Sequence, residues 1–113
     1  MQHHMRLTEH PFNRLKEGMK EIEFRIYDEK RKKIEVGDTI KFSLLPSLQE
    51  SVIVQVVALY QYPTFEELLT FLGYQGDALD EKMHLIYSFY SKQQEDENGV
   101  LGIKMKIIPK NES

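Results

Sequence analysis

Val52-Ile53-Val54-Gln55-Val56-Val57-Ala58-Leu59-Tyr60-Gln61-Tyr62, followed by Pro63 and then Thr64-Phe65-Glu66-Glu67, is the stretch on which the fold turns. Its first half is rich in β-branched residues and too apolar for a surface segment, so it predicts a long central strand over 52–62. Pro63 ends that strand. Thr64 and Glu67 have the spacing of a capping box, in which the two side chains satisfy backbone N–H groups at a helix start. Phe65, Leu68, Leu69 and Leu72 then recur on one helical face. Together with the mostly antiparallel strands and the helices that flank it, this stretch points to an α+β fold.

Downstream, Gly73 to Gly76 breaks the helix, and Leu79, Met83, Ile86, Tyr87 and Tyr90 form a second helical stripe. Ser91 to Asn98 is polar and accommodates a short helix begun by a Ser91 cap. A closing strand follows Gly99, with Leu101, Ile103, Met105 and Ile107 alternating with Gly102, Lys104 and Lys106. Lys110 to Ser113 is expected to fray.

Upstream, Thr39 to Leu44 alternates as a strand after the Val36-Gly37-Asp38 turn, with Ile40, Phe42 and Leu44 inward. Ile22, Phe24 and Ile26 face one way and Glu21, Glu23 and Arg25 the other, which predicts a half-buried strand. Phe12, Leu15 and Met19 have roughly helical spacing; Pro11 fits a first turn and Gly18 a helix stop. Met5 to Thr8 reads as a short strand. The expected core is Ile22, Phe24, Ile40, Phe42, Val54, Val56, Leu101 and Ile103. In all, about five mostly antiparallel strands and two or three helices are expected, as a small curled sheet or barrel with helices over its openings.

The 113 residues, 41% hydrophobic and 29% charged, suit a single domain over 1–113 with a core from about residue 5 to 108. The absence of cysteine excludes disulfides and thiol chemistry. No apolar run approaches the roughly 20 residues that span a bilayer, and the first residues hold no apolar signal core. The expectation is a cytoplasmic protein without a membrane partner.

Charge is unevenly spread. Phe12 to Lys33 carries eight basic and five acidic residues, whereas Thr64 to Asn98 carries eight acidic residues against Lys82 and Lys92. The net charge of −3 excludes a uniformly basic nucleic-acid binder but leaves room for a local basic face. The acidic half is a possible contact surface for a protein partner.

The densest polar constellation is Lys16 to Arg25. Glycine 18 lets the chain turn tightly, and the strand sends Glu21, Glu23 and Arg25 to one side; parity does not set the direction of Lys20. On spacing alone this is either a binding site or a solvated edge strand with weak ion pairs. Lys30-Arg31-Lys32-Lys33 reads either as a phosphate grip or as a solvated turn. Tyr60, Tyr62, Tyr87 and Tyr90 read either as base-stacking rings or as core residues with a wet edge. His3 and His4, adjacent near an end, read as a mobile terminus; no metal pattern and no cofactor motif is present. His10 and His84 have no visible acidic partner and suit surface or capping roles.

Gly18-Met19-Lys20-Glu21-Ile22-Glu23-Phe24-Arg25 resembles the G-x-K-x-x-E-x-R signature of the ASCH domain, a branch of the PUA-like superfamily. Pro11-Phe12, Tyr27-Asp28-Glu29-Lys30, Val36-Gly37-Asp38-Thr39-Ile40-Lys41-Phe42, Tyr62-Pro63-Thr64-Phe65-Glu66-Glu67-Leu68, Tyr90-Ser91-Lys92 and Gly99-Val100-Leu101-Gly102-Ile103 are similar to further family segments in the same order. The resemblance implies a PUA-like β-barrel with a cleft at the signature. Its ligand would be RNA, a nucleoside or a nucleotide, with Lys16, Lys20, Glu23, Arg25, Tyr90, Ser91 and Lys92 as binding residues. A bacterial group of the family hydrolyses N4-acetylcytidine with a lysine and a threonine of the signature strand and a glutamate elsewhere. Lys20 matches that lysine, but Glu23 stands at the threonine position, so the hydroxyl nucleophile is missing. The alternative function is therefore an amidohydrolase of acylated nucleosides in which Lys20 acts as base and Glu23 or a water replaces the threonine.

Overall fold

The computed structural model describes residues 1–109. Its elements are β1 (Gln2–Leu7), α1 (Glu9–Lys16), β2 (Ile22–Ile26), a 3-10 turn (Arg31–Lys33), β3 (Thr39–Leu44), β4 (Ser51–Tyr62), α2 (Phe65–Phe71), α3 (Gly76–Ile86), α4 (Lys92–Asn98) and β5 (Val100–Ile107). The fold is α+β. Its five strands form a mixed sheet in the order β1-β3-β4-β5-β2. Among the described residues the helices number four, α1 and the short α4 standing alongside α2 and α3. The expected tail from Lys110 to Ser113 lies outside the described residues.

The chain folds as two compact units. The first comprises Met1–Glu23, Ile34–Leu59 and the chain from Ile103; the second comprises Phe24–Lys33 and Tyr60–Gly102.

In the first unit, β3 and β4 pair antiparallel with Ile40 opposite Val54 and Phe42 opposite Val52. All four side chains are buried, so the period-two alternation places one apolar face on the core. β1 runs parallel to β3, with His3 opposite Ile40 and Met5 opposite Phe42. Parallel pairing needs a long crossover, and the connection through α1 and β2 supplies it. β1 begins at Gln2, not at Met5. The expected mobile terminus at His3 is thereby corrected: His3 is a buried residue on the inward face of the strand. His4, on the opposite face, is exposed.

α1 buries Phe12 and Leu15. The third expected residue of that stripe, Met19, is 64% exposed, because the helix has already ended. Glu17 is the C-cap, and Gly18 follows with φ +79°. The Gly18 N–H donates to the Leu15 carbonyl at 3.0 Å and the Met19 N–H to the Arg14 carbonyl at 2.8 Å. These are the two bonds of a Schellman cap, and its left-handed residue suits glycine. Ile22, expected in the core, is only half-buried; it opens β2 at an end of the strand order.

In the second unit, α2 starts as its sequence predicts. Thr64 Oγ1 accepts the Glu67 N–H at 3.1 Å, and Phe65, Leu68 and Leu69 are fully buried, while Leu72 is half-buried. Gly102 of β5 lies under this helix: a Cβ there would stand 3.2 Å from Leu68 Cδ1 and 3.6 Å from Tyr60 Cδ2. Only glycine lets strand and helix approach so closely without displacing a side chain. α3 is more exposed than its apolar stripe suggests, since Ile86 alone is buried. The stretch from Val100 to Ile103 is buried at every position, so strict alternation holds only beyond it. Val100 is therefore a core residue that parity does not reveal.

Candidate functional site

The Schellman cap at Gly18 delivers Lys20 directly after the turn. The Lys20 and Met19 N–H groups both reach the Arg14 carbonyl, at 3.2 and 2.8 Å. The next residues enter β2, with the Glu21 carbonyl accepting the Met105 N–H at 2.8 Å. The backbone that carries Lys20 and Glu23 is thus held at both ends.

Lys20 reaches forward along the strand it precedes. Its Nζ donates to the Ile22 carbonyl at 2.9 Å and stands 3.1 Å from Glu23 Oε1. Both side chains are largely removed from solvent, Lys20 to 13% and Glu23 to 8% exposure. The reading of this strand as a solvated edge fails at Glu23. A carboxylate at that depth is held by a cation and hydrogen bonds, because an unpaired buried charge is costly. Lysine carries three donors; the carbonyl and the carboxylate engage two of them.

The other expected site residues lie as follows. Arg25 is half-buried on the part of β2 that belongs to the second unit, and it is not without a partner. Lys16 is exposed and paired with Glu50. Tyr90, Ser91 and Lys92 cluster in the second unit around Phe65, Tyr87 and Glu95. The Tyr90 ring stacks on Phe65 with centroids 5.9 Å apart. Ser91 is the N-cap of α4: its Oγ accepts the Gln94 N–H at 3.1 Å, and Gln94 Oε1 accepts the Ser91 N–H at 2.8 Å. Lys92 Nζ lies 4.9 Å from the centroid of the Tyr87 ring and 3.7 Å from Glu95 Oε1. Interaction with Tyr87 first, and with Glu95 after it, pushes the Lys92 ammonium up from its usual range.

Glu95 is the residue that sequence reasoning passes over. It is 1% exposed. Its Oε2 accepts the Phe65 N–H at the start of α2 and the Tyr87 hydroxyl, both at 2.7 Å. Burial first, and the bonded Glu95 carboxylate after it, push the Tyr87 phenol above its usual range. One signal was available: α4 reads Lys-Gln-Gln-Glu-Asp-Glu-Asn and contains no apolar residue. Any side chain it turns inward had to be polar.

Of the remaining candidates, Tyr60, Tyr62, Tyr87, Arg31 and Lys32 have partners within the second unit. Tyr60 and Tyr62 tilt against Phe71, with centroids 5.3 and 5.4 Å apart. Tyr87 meets the edge of Phe65 at 6.0 Å. In the basic turn, Arg31 pairs with Asp28 at 3.4 Å and Lys32 with Glu29 at 3.2 Å. His10 and His84 are exposed.

A second polar contact of the first unit joins β1 to the turn before β3. His3 Nε2 donates to Asp38 Oδ2 at 2.8 Å, and the Glu35 N–H donates to the same oxygen at 3.0 Å. The His3 bond first, and the Glu35 N–H after it, hold the Asp38 carboxyl down at about 2. Among the described residues, no group of three or more His, Asp or Glu is placed to hold a metal ion. Among them, too, no helix is long and apolar enough to cross a membrane.

The model of the ASCH domain family matches residues 5–109, a span that covers the Lys20–Glu23 turn and both units. Two solved structures are similar over nearly the whole chain. The crystal structure of hypothetical protein PH0355 has a TM-score of 0.82 at 31% identity, covering 96% of this chain and 100% of its own. The solution NMR structure of protein PF0455 from Pyrococcus furiosus has a TM-score of 0.73 at 31% identity, covering 96% and 98%. No curated protein matches the chain significantly.

Proposed function

The chain belongs to the ASCH domain family, and from that premise we propose that it binds a nucleoside moiety, free or within RNA, through Lys20 and Glu23. The observation that carries this reading is the buried ion pair itself. The signature puts a lysine and a glutamate three residues apart, and the two side chains meet at 3.1 Å beside the capped turn. A base edge offers both donors and acceptors. Glu23 accepts from an exocyclic amine or a ring N–H, and the remaining Lys20 donor meets a ring nitrogen or carbonyl.

The same pair disfavours hydrolysis. Lys20 Nζ is engaged by the Ile22 carbonyl and the Glu23 carboxylate rather than left free to take a proton from a substrate. Glutamate in place of threonine removes the hydroxyl nucleophile as well. The reading is therefore a binding module, with hydrolysis of N4-acetylcytidine slow or absent.

Chemical-shift mapping with cytidine and guanosine tests it. Backbone signals from Lys20 to Arg25 should move with at least one nucleoside, and the response should vanish in Lys20→Ala. Turnover of N4-acetylcytidine on the order of 1 per second or more, lost in Lys20→Ala, would make the protein an amidohydrolase instead.

A further inference from the structure

We infer that the outward face of the sheet in the first unit is a docking surface for an extended acidic segment of a partner protein. None of β1, β3, β4 and β5 contains an aspartate or a glutamate. Ile40, Phe42, Val54, Ile103 and Met105 are buried, so alternation puts Lys41, Lys104 and Lys106 on the opposite face. Lys104 and Lys106 are exposed and Lys41 is half-buried. Among the described residues, none of the three is held by a hydrogen bond or an ion pair.

That sets them apart from the cations of the signature and the basic turn. Lys16, Lys20, Arg31 and Lys32 each stand within ion-pair distance of a carboxylate, and Asp28 and Glu29 are mixed into the turn. Three unmatched lysines on a face without acidic residues repel one another, and a partner that brings carboxylates removes that repulsion.

The spacing suits an extended polypeptide. Lys104 and Lys106 lie two residues apart on β5, roughly 6.6–6.8 Å. Alternate side chains of an extended acidic segment recur at the same interval on one side. β4 separates β5 from β3, so Lys41 stands two strand spacings, about 10 Å, to the side and widens the positive surface. Between them, Gln55 and Val57 of β4 are exposed, with Thr39 opposite Gln55 and Ile53 opposite Lys41. They offer a polypeptide hydrogen bonds and a small apolar strip.

A nucleic acid fits this face less well. Its outward residues include no aromatic ring on which a base could stack. Its unmatched cations are lysines, not the arginines that suit bidentate phosphate contacts; Arg6, on the same face of β1, already has a partner. Three lysines can match a short acidic segment but not a duplex with one charge per roughly 1.7 Å.

Fluorescence anisotropy with the folded full chain tests the inference. The probes are a short labelled peptide of alternating glutamate and threonine, the same peptide with glutamine for glutamate, and a single-stranded RNA of matched length. Each is titrated at low and near-physiological salt. The acidic peptide should bind at least tenfold more tightly than either other probe and weaken severalfold at the higher salt. Lys104→Gln combined with Lys106→Gln should weaken it tenfold or more, whereas Lys32→Gln in the basic turn should change it less than twofold. RNA that binds more tightly than the acidic peptide makes this a nucleic-acid surface and overturns the inference. An acidic peptide that does not bind, or that is indifferent to Lys104 and Lys106, overturns it as well. Should the double variant fail to fold, backbone chemical shifts of the wild type decide: the peptide should move Lys41, Gln55, Lys104 and Lys106, and shifts confined to other parts of the chain contradict the inference.

Discussion

Among the described residues two glutamates are buried, and they are held in different ways. Glu95, on α4, takes its hydrogen bonds from the Phe65 backbone N–H and the Tyr87 hydroxyl; its lysine partner Lys92 is 72% exposed and 3.7 Å away. Glu23, entering β2, is paired with Lys20 at 3.1 Å, and that lysine is itself largely covered. Glu95 does for α2 what an N-cap side chain does, satisfying a helix-start N–H group from another helix. Its donors belong to the framework, so it reads as structure. Glu23 pairs with the side chain of a lysine that follows a capped turn, and that lysine keeps a donor to share with a ligand. The lesson is that burial alone does not mark a functional carboxylate; the identity of its donors does.

The comparison can be broken by stability measurements. Phe42→Ala sets the scale: Phe42 is fully buried on β3, and its truncation should cost about 3–5 kcal/mol in denaturant unfolding. Glu95→Ala comes next. It strands the Phe65 N–H and the Tyr87 hydroxyl, at about 1–3 kcal/mol for each donor that finds no replacement. If Glu95→Ala unfolds at the wild-type denaturant concentration, the structural role assigned to Glu95 is wrong.

Acid unfolding sharpens the contrast with a third carboxylate. Asp38 falls from 3.8 to about 2 in the folded state, chiefly through its bond with His3. A depressed carboxyl stabilises the fold above its unfolded pKa, and that contribution is lost as pH falls. Asp38 should therefore supply part of the stability loss between about pH 4 and pH 2. In Asp38→Asn, the midpoint should change less over that interval than in wild type; an unchanged acid limb would remove Asp38 from the account. Smallest is Lys92→Ala. The partner of Glu95 is mostly solvated, and exposed ion pairs contribute little. Its melting temperature should stay close to wild type, whereas a shift as large as that of Glu95→Ala would show that Lys92 holds the buried carboxylate.

Much of this fold is legible along the chain. Alternation at Ile40, Phe42, Val54 and Val56 defines β3 and β4, and Thr64 with Glu67 marks the start of α2; all are local patterns. β1 is less legible because its first residues gain their order from the parallel partner β3, more than thirty positions away in the chain. Periodicity also overreaches at Met19, which looks like one more helical position until the Gly18 cap turns the chain. At the site, the motif identifies Lys20 and Glu23, but parity leaves the lysine without a direction. That direction follows from the Schellman bonds to Leu15 and Arg14 and from the Ile22 carbonyl that accepts from Nζ. Glu95 is hidden for a different reason. A helix without apolar residues has no periodicity, so its inward position shows only against Phe65 and Tyr87.

The division of labour between the two glutamates is tested most directly by titrating the better-binding nucleoside into Glu23→Gln and Glu95→Gln beside wild type, under conditions where all three are folded. The account predicts that Glu23→Gln weakens nucleoside binding tenfold or more, about 1.4 kcal/mol, while Glu95→Gln leaves it within twofold. Undiminished nucleoside binding in Glu23→Gln, or an equal loss in both variants, would contradict it.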